Sequence, residues 1–299
     1  MKSKVLVTGG AGFIGSYVVR ELLAQGYSVI VIDNLLSGKK ANIPKGVKFF
    51  KSDIRNLKEI EPIFKGVKYV YHLAAIPSVQ YSIENPNETN EVNITGTLNV
   101  LLAAKKASVK RLVYSASSSV YGDVKKLPIN ESETAKPKSP YALQKYVGEL
   151  YCKMFSEVYG LETVCLRYFN VYGYGQPSVG AYASVIAKFI DLKKRKKNLT
   201  IVGDGNQTRD FIHVTDVAKA NVLAATSERV GNGESINIGT GKKSSVKDIA
   251  KLIGGSIDYL PPRIEPKDSL ADISLAKFLL GFKPTLDLKD GLKSLLQNK

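Results

Sequence analysis

A tyrosine and a lysine lie one helical turn apart at the start of a helix-like segment in the middle of the chain. Tyr141 and Lys145 belong to SPYALQKYVGEL, where Ser139 and Pro140 are typical of a helix N-terminus and good helix formers follow. A four-residue spacing places both side chains on one face of the helix. A phenol beside an ammonium group can remove a proton from an alcohol, so this pair is a candidate acid/base pair.

The same spacing occurs a second time, in Tyr121 and Lys125 of the segment YGDVK. Gly122 and Asp123 interrupt any helix there, so the four-residue spacing has no geometric meaning. We therefore predict a structural role for this pair and assign the chemistry to the pair at 141 and 145.

Three glycines near the N-terminus predict a dinucleotide site. The strand-like run KVLVT is followed at once by TGGAGFIG, with Gly9, Gly12 and Gly15 ahead of a helix-like segment. Glycine at these spacings permits a tight turn and lets a pyrophosphate approach the free N–H groups of the helix N-terminus. The next strand-like run ends in Asp33, placed to bind the adenosine ribose. Because its carboxylate would repel a 2′-phosphate, the sequence favours NAD over NADP, and the neighbouring Asn34 could weaken that preference.

The tyrosine needs positive charge to act as a base. A free phenol has a pKa of about 10, so removing a hydroxyl proton near neutral pH requires a downward shift of about 3 units, or roughly 4 kcal/mol. An ammonium group and an oxidised nicotinamide ring, each about 5 Å away, would each contribute on the order of 3 kcal/mol at an effective dielectric constant of about 20. We therefore expect Lys145 and the cofactor together to lower the pKa of Tyr141.

Strand-like and helix-like segments alternate along the first half of the chain. Strands that are apolar on both faces and alternate with helices indicate a parallel sheet covered on both sides, so we predict a doubly wound α/β fold of the Rossmann type. The pattern loosens after about residue 170, which indicates a smaller C-terminal domain over the carboxyl edge of the sheet, where ligands of such folds bind. The six predicted strands lie at 4–8, 27–33, 47–53, 67–75, 110–116 and 162–169.

Two domains follow from this pattern. The predicted NAD-binding domain comprises residues 1–169 with a return segment at about 208–235. The predicted substrate-binding domain comprises residues 170–207 and 236–299.

The composition excludes several classes of protein. The formal charge is +16, and the run KKRKK at 193–197 raises the hypothesis of nucleic-acid binding. This run follows an apolar helix-like segment, so we interpret it as solvated cations in a last helical turn. A general positive field would favour an anionic small substrate, and we expect no nucleic-acid partner.

Nothing in the sequence indicates a metal, a disulfide or a membrane segment. Cys152 and Cys165 lie in helix-like and strand-like segments, which favours reduced packing residues, and His72 and His213 are too few for a metal site. No stretch approaches the roughly 18 uninterrupted apolar residues of a membrane span, and no signal peptide is recognisable. We expect a cytoplasmic protein without a membrane partner.

Motifs along nearly the whole chain resemble one family, the extended short-chain dehydrogenase/reductases that act on nucleotide sugars, and within it the UDP-glucose (UDP-galactose) 4-epimerases. Their order and spacing together are highly specific. The motifs are TGGAGFIG, Asp33, SDI (52–54), HLAA (72–75), VNITGTLNV (92–100), SSSVYG, SPYALQK, LRYFNVYG (166–173), GDGNQTRDFIHVTDVA (203–218), NIGTG (237–241) and LADISLAKFLLGFKP (270–284).

The resemblance implies NAD as the cofactor, a UDP-sugar as the substrate and Ser117, Tyr141 and Lys145 as the catalytic residues. It implies that the cofactor contacts Gly9, Gly12, Phe13, Ile14, Gly15, Asp33, Asn34, Asp53, Ile54, Leu73, Ala74, Ala75 and Asn93, together with Tyr141 and Lys145. It implies that the substrate contacts Ser78, Ser117, Asn170, Val185, Thr200, Arg209, Arg263 and Ser269. Relatives dimerise through the helix that carries Tyr141 and the helix before it, so a homodimer is also implied.

The segment SASSSVYG distinguishes between reactions of this family. Nucleotide-sugar dehydratases and decarboxylases carry acids just before VYG, and here those positions are Ser118 and Ser119. Elimination needs an acid and a base beyond the tyrosine, and a serine without a partner base is neither. The remaining chemistry needs only a hydride and one proton, which predicts 4-epimerisation of a UDP-hexose through a transient 4-keto sugar.

Other readings stay open. UDP-glucuronate or UDP-N-acetylglucosamine 4-epimerases use the same machinery, and a non-catalytic dinucleotide-binding protein is a further alternative that the intact Ser117, Tyr141 and Lys145 disfavour. The chain departs from the family after Arg263, where a Gly-Asp pair normally contributes a carboxylate to the uridine ribose, and Glu265 or Asp268 would have to replace it. The resemblance also places Ser269 beside the sugar, where a small residue predicts room for an N-acetyl group.

Overall fold

The computed structural model describes residues 2–178, 180, 183–261 and 268–297. The strands are β1 (Lys4–Thr8), β2 (Ser28–Ile32), β3 (Lys48–Phe50), β4 (Tyr69–His72), β5 (Arg111–Ser117), β6 (Glu162–Tyr168), β7 (Asn170–Tyr172), β8 (Leu199–Val202), β9 (Thr208–Arg209), β10 (Phe211–His213), β11 (Asn232–Ile238), β12 (Ser244–Ser245) and β13 (Ile257–Leu260). The α-helices are α1 (Phe13–Ala24), α2 (Leu57–Ile60), α3 (Val79–Glu84), α4 (Pro86–Asn90), α5 (Gly96–Lys106), α6 (Pro140–Tyr159), α7 (Val185–Lys194), α8 (Val214–Thr226), α9 (Val246–Ile253), α10 (Ser274–Leu280) and α11 (Leu288–Gln297).

A seven-stranded parallel sheet in the order β11-β6-β5-β4-β1-β2-β3 forms the centre of the fold. All six predicted strands belong to it, which confirms the doubly wound α/β prediction. The seventh strand, β11, was not among them. Its segment NGESINI alternates polar and apolar residues instead of forming an apolar run, because it is an edge strand that pairs only with β6.

Each strand of the sheet contributes to two hydrophobic cores, one on each face. On β1, Leu6 packs into one core and its neighbours Val5 and Val7 pack into the other, because successive strand residues point to opposite faces. Helices α1 and α8 contact each other over the face of Val7, and α5 and α6 cover the face of Leu6. This two-sided burial explains why the strands read as uninterrupted apolar runs.

A separate hydrophobic core belongs to the C-terminal part of the chain. It centres on Phe189 of α7, Leu199 of β8 and Ile249 of α9, and all three are fully buried. Short paired strands, β10 with β7, β12 with β9 and β13 with β8, connect these helices. Because only Phe169 separates β6 from β7, this part of the chain begins at the carboxyl end of the sheet.

Within the described ranges, no helix combines the length and the apolar character that crossing a membrane would require. The same residues hold no group of three or more His, Cys, Asp or Glu side chains that could bind a metal ion. Cys152 and Cys165 are buried free thiols.

Candidate active site

The turn between β1 and α1 requires glycine at two of the three predicted positions. Gly9 has a φ of +72°, and a Cβ there would lie 2.6 Å from the backbone nitrogen of Ala74. A Cβ at Gly15 would lie 2.1 Å from the carbonyl oxygen of Gly9. Side chains would therefore push β1, α1 and the end of β4 apart, and their absence leaves the backbone open to a ligand.

Helix α1 begins without a side-chain cap. Its N-cap residue, Gly12, provides no side-chain hydrogen bond, and the first turn contains no acidic residue. Helices α6, α7 and α9 are capped instead by Ser139, Ser184 and Ser245. The uncapped N–H groups and the helix dipole of α1 suit an anion, so this end of the cleft fits the pyrophosphate of a dinucleotide.

Two carboxylates lie at the next part of the cleft, after β2 and β3. The Asp33 carboxylate accepts hydrogen bonds from the backbone N–H groups of Ala11, at 2.9 Å, and Leu35, at 2.8 Å, which fix its orientation. Asp53 accepts a hydrogen bond from Asn34 at 2.9 Å and pairs with Arg55 at 2.8 Å. The hydrogen bond from Arg55 is the main reason why the pKa of Asp53 is lowered to about 2. Asp33 keeps acceptor sites for ribose hydroxyls, since a carboxylate offers about four.

Helix α6 places Tyr141 and Lys145 in this cleft, as its sequence predicts. Ser139 caps the helix by accepting a hydrogen bond from the Ala142 N–H at 3.2 Å. The buried hydroxyl oxygen of Ser82 accepts one from the Tyr141 N–H at 3.0 Å, so a second element fixes the first turn. The Lys145 ammonium donates to the Ser115 carbonyl at the end of β5, at 2.7 Å. Both chemical groups are therefore held by the packed scaffold.

Burial sets the protonation of this pair. Desolvation raises the pKa of Tyr141 to about 12, although a side-chain hydrogen bond with Ser117 lowers it in part. Desolvation likewise lowers the pKa of Lys145 to about 8. In the protein without NAD, the cost of burying a phenolate thus outweighs the help that the chain itself provides. The lowering expected from Lys145 and the cofactor together concerns the complex with NAD and stays a prediction.

Ser117 ends β5 and begins a single turn formed by Ser118–Tyr121. Its hydroxyl oxygen accepts hydrogen bonds from the Ser119 N–H at 3.2 Å and the Ser119 hydroxyl at 2.9 Å. Among the described residues that line the cleft, the only carboxylates are Asp33 and Asp53, which follow β2 and β3. No acid therefore accompanies the tyrosine in the described part of this site.

A second cleft adjoins the first, and Val171 of β7 lines both. Four residues predicted to bind substrate line the second cleft: Asn170, Val185, Thr200 and Arg209. Arg209 of β9 donates to the carbonyl of Thr208 at 2.9 Å, which holds its guanidinium in place. The second cleft thus brings a cation to the side of the dinucleotide cleft.

Three predicted site residues are not among the described residues that line either cleft. The Ser78 hydroxyl oxygen accepts a hydrogen bond from the Tyr81 N–H at 3.1 Å and caps α3. The amide of Asn93 bonds both backbone groups of Ile76, which lines the dinucleotide cleft, so Asn93 supports that wall from behind. The backbone of Ser269 donates to the Thr208 carbonyl at 3.0 Å.

Relatives have a carboxylate for the uridine ribose after the position of Arg263, and this chain has Glu265 and Asp268 as possible replacements. Arg263 and Glu265 lie outside the described residues. Asp268 accepts hydrogen bonds from the hydroxyl of Thr208, at 2.5 Å, and from its N–H, at 3.3 Å. This carboxylate thus fastens the segment that carries Ser269 to the start of β9.

The dinucleotide cleft also contains residues that sequence reasoning missed. Some of these residues lie at the end of a strand or directly after it. They could have been predicted, because ligands of such folds bind at the carboxyl ends of parallel strands. Gln176 and Pro177, by contrast, carry no sequence signal for a site. The missed lining residues are Ile32, Leu36, Ser37, Ser52, Ile76, Pro77, Val92, Ser115, Ala116, Tyr168, Phe169, Val171, Gln176 and Pro177.

Comparison with known proteins agrees with this geometry. Residues 5–239 match the NAD dependent epimerase/dehydratase family. The chain is 43% identical to a protein of Methanocaldococcus jannaschii named putative UDP-glucose 4-epimerase, with 97% of this chain and 96% of that protein covered. The chain belongs to the NAD dependent epimerase/dehydratase family, and its cofactor is NAD.

Two solved structures are similar over nearly the full length. One is the UDP-glucose 4-epimerase of Thermotoga maritima with UDP-glucose, at 40% identity and a TM-score of 0.93, covering 98% of this chain and 97% of the other. The second is the UDP-N-acetylglucosamine 4-epimerase of Methanobrevibacter ruminantium M1 in complex with UDP-N-acetylmuramic acid. It is 40% identical with a TM-score of 0.94, covering 99% of this chain and 98% of the other.

Proposed function

We propose that this protein is an NAD-dependent UDP-hexose 4-epimerase that interconverts UDP-glucose and UDP-galactose. One observation carries the proposal: Tyr141, Lys145 and Ser117 meet in the dinucleotide cleft, with serines where dehydratases and decarboxylases have acids. The relatives named as 4-epimerases support it, because their similarity extends over nearly the whole chain.

The cofactor would lie along the first cleft, with its pyrophosphate at the N-terminus of α1 and its adenosine ribose at Asp33. NAD, when bound, accepts a hydride from the sugar and returns it. Because the carboxylate of Asp33 disfavours a 2′-phosphate, we expect Asp33→Ala to weaken NAD binding and to narrow its advantage over NADP. Equal use of both cofactors by the wild-type protein would contradict this role.

The side chains of the site would handle one proton. Tyr141 takes the proton of the sugar 4-hydroxyl at its phenol oxygen and returns a proton to the same position of the sugar. Lys145 remains mostly protonated at neutral pH, since its pKa is about 8, and it supplies positive charge one turn away on α6. Ser117 bonds the phenol, and Arg209 in the second cleft would hold the diphosphate.

A direct assay tests the proposal. The purified protein is incubated separately with UDP-glucose, UDP-galactose, both N-acetylated forms and UDP-glucuronate, with and without added NAD, and the nucleotide sugars are separated by chromatography. We expect 4-epimers of the glucose pair. Products that have lost water or carbon dioxide, or turnover of UDP-glucuronate alone, would contradict the proposal.

We infer in addition that the N-acetylated pair is accepted. The small side chain of Ser269 supports this inference, as does the similarity to a UDP-N-acetylglucosamine 4-epimerase. A steric misfit costs roughly 1 to 3 kcal/mol. We expect Ser269→Tyr to abolish turnover of UDP-N-acetylglucosamine while sparing UDP-glucose. An equal reduction of both substrates would place the specificity elsewhere.

We infer that the chain forms a homodimer through α5 and α6. Two leucines seven residues apart on α6, Leu143 and Leu150, have about half of their surface exposed (50% and 49%), and Leu102 of α5 is half-buried. Light scattering during gel filtration should give twice the chain mass for the wild type. Leu150→Glu should give the monomer mass, and an unchanged mass would contradict this interface.

A further inference from the structure

Ser119 is the one residue of the segment SASSSVYG that makes two hydrogen bonds to Ser117. Its N–H lies 3.2 Å and its hydroxyl 2.9 Å from the oxygen of Ser117. Both serines are half-buried: Ser117 is the last residue of β5 and Ser119 lies in the turn that follows, which the fully buried side chains of Val120 and Tyr121 hold in place. The contact is therefore fixed by the core of the protein.

The number of bonds that a hydroxyl can form gives this contact a direction. A serine oxygen accepts two hydrogen bonds and donates one. The Ser119 N–H occupies one acceptor position of Ser117, and when the Ser119 hydroxyl occupies the other, the Ser117 proton is the hydrogen-bonding group left for another neighbour. That neighbour is the phenol of Tyr141, because both side chains line the dinucleotide cleft and Ser117 lowers the pKa of Tyr141. In this arrangement the three hydroxyls form a chain that runs from Ser119 through Ser117 to Tyr141.

We propose that Ser119 is a positioning residue of the reaction, because it orients the Ser117 hydroxyl to donate its proton to the Tyr141 oxygen. When Tyr141 is ionised, a donor at its oxygen stabilises the phenolate. When Tyr141 is protonated, the same donor leaves the phenol proton free to point at the substrate. Donors in a chain also polarise one another, which strengthens the last bond. This inference deepens the proposed function and rests on it.

The charged groups around α6 have other partners. Glu149 pairs with Arg167 of β6 at 2.6 Å, while Glu84, Glu88 and Glu91 bond Gln80, Tyr81 and Arg55. The Lys145 ammonium donates to the Ser115 carbonyl and lies 4.9 Å from the centre of the Tyr114 ring on β5. His72 contacts that ring and is neutral, because burial lowers the pKa of His72 to about 3. Burial and Ser117 are the two causes that shift the pKa of Tyr141. Ser117 is thus the favourable contribution that Ser119 can control.

Three variants test the proposal: Ser119→Ala, Ser119→Thr, which keeps a hydroxyl, and Ser118→Ala as a matched control. Within the described residues, no hydrogen bond joins the Ser118 side chain to Ser117 or Tyr141. The first measurement is kcat for UDP-glucose across pH. On the acidic side of the profile, kcat falls as Tyr141 becomes protonated. In Ser119→Ala we expect this acidic limb to lie at a pH higher by roughly 0.5 to 1 unit, and kcat at pH values below the limb to be three- to tenfold lower, as the loss of one hydrogen bond predicts.

Ser119→Thr should restore the wild-type limb, and Ser118→Ala should leave it unmoved. An unmoved limb in Ser119→Ala, or equal shifts in both alanine variants, would overturn the proposal. Circular dichroism and NAD binding check that each variant is folded. Should Ser119→Ala fail to fold, Ser119→Cys takes its place with the same expectation, because a thiol is a weaker donor.

A second measurement separates this inference from the proposed function. The chain contains 16 tyrosines and no tryptophan, so phenolate absorbance is readable in the ultraviolet. With NAD bound, the difference between each protein and its Tyr141→Phe counterpart reports the titration of Tyr141 alone. A wild type without epimerase activity would refute the proposed function. In that case a higher pKa of Tyr141 in Ser119→Ala than in the wild type would still support the role of Ser119. An unchanged pKa of Tyr141 would contradict it.

Discussion

The two Tyr-x-x-x-Lys segments of this chain share a spacing and differ in almost everything else. Tyr141 and Lys145 lie on one face of α6 and line the dinucleotide cleft. Tyr121 ends the turn after β5, its hydroxyl donates to Asn237 at 2.7 Å, and Arg167 donates to it at 2.9 Å. Tyr121 is buried without being part of the described cleft, whereas Lys125 lies in an irregular exposed segment.

A Tyr-x-x-x-Lys motif can therefore act as an acid/base pair only where the secondary-structure element that contains it directs both side chains to one site. Tyr121 is buried and Tyr141 is half-buried, and desolvation raises the pKa of both to about 12. A raised pKa thus does not distinguish an acid/base residue from a core residue. The distinguishing feature is that Tyr141 opens onto a cleft with a lysine one helical turn away. Four substitutions test this contrast.

The largest effect is expected for Tyr141→Phe. Losing the acid/base group should reduce epimerisation by at least about a hundredfold while the fold and NAD binding persist. Turnover of UDP-glucose, circular dichroism and NAD binding check this. Near-normal turnover would remove Tyr141 from the mechanism.

Lys145→Met should abolish most activity and yet stabilise the protein without cofactor. The folded pKa of about 8 lies below the unfolded value of about 10.4, so the buried ammonium costs stability below pH 8, and stability returns as the pH rises from about 8 to about 10.4. Removing the buried ammonium should raise the free energy of unfolding at pH 7 by up to about 3 kcal/mol. The Ser115 carbonyl, left without its donor, should reduce this gain by roughly 1 kcal/mol.

Urea unfolding of the wild type and of Lys145→Met at pH 7 and pH 10.5 tests this prediction. The difference between their free energies of unfolding should be smaller at the higher pH. A constant difference at both pH values would show that the titration of Lys145 is not its cause.

Tyr121→Phe should leave catalysis nearly intact and weaken the fold. The oxygen of Asn237 would lose its donor and Arg167 one acceptor, which costs about 1 to 3 kcal/mol in the core. Chemical unfolding gives the free energy, and the epimerase assay gives the rate. A large loss of turnover in a folded Tyr121→Phe protein would break the contrast between the two segments.

The smallest effect is expected for Lys125→Ala, which should change both stability and turnover within about 0.5 kcal/mol, as surface substitutions usually do. The same two assays measure it. A tenfold loss of activity would show that this lysine reaches the site.

The predictable parts of the molecule are those encoded by neighbouring residues. The glycine turn, Asp33 and the start of α6 at Ser139 are short-range patterns whose geometry follows from backbone rules, and the structure places them as expected. The strand β11 was missed because its edge position leaves no apolar run. Its pairing partner lies some 70 residues away, beyond any local pattern.

Other features depend on the completed fold. Gln176 lies four residues after the end of β7 and lines the dinucleotide cleft, and nothing in the neighbouring sequence predicts this position. The raised pKa of Tyr141 in the protein without NAD could not be read from the sequence, because burial is a property of the packed structure. The two bonds of Ser119 to Ser117 likewise depend on the turn that β5 imposes.

The uncapped start of α1 makes the stability of the folded chain depend on bound NAD. Helices α6 and α7 cap their own N-termini with Ser139 and Ser184, whereas Gly12 leaves the N–H groups of α1 to an anion. A ligand that binds only the folded state adds about 1.4 kcal/mol of stability for every tenfold excess over its dissociation constant. Resistance to proteolysis should therefore rise with NAD concentration.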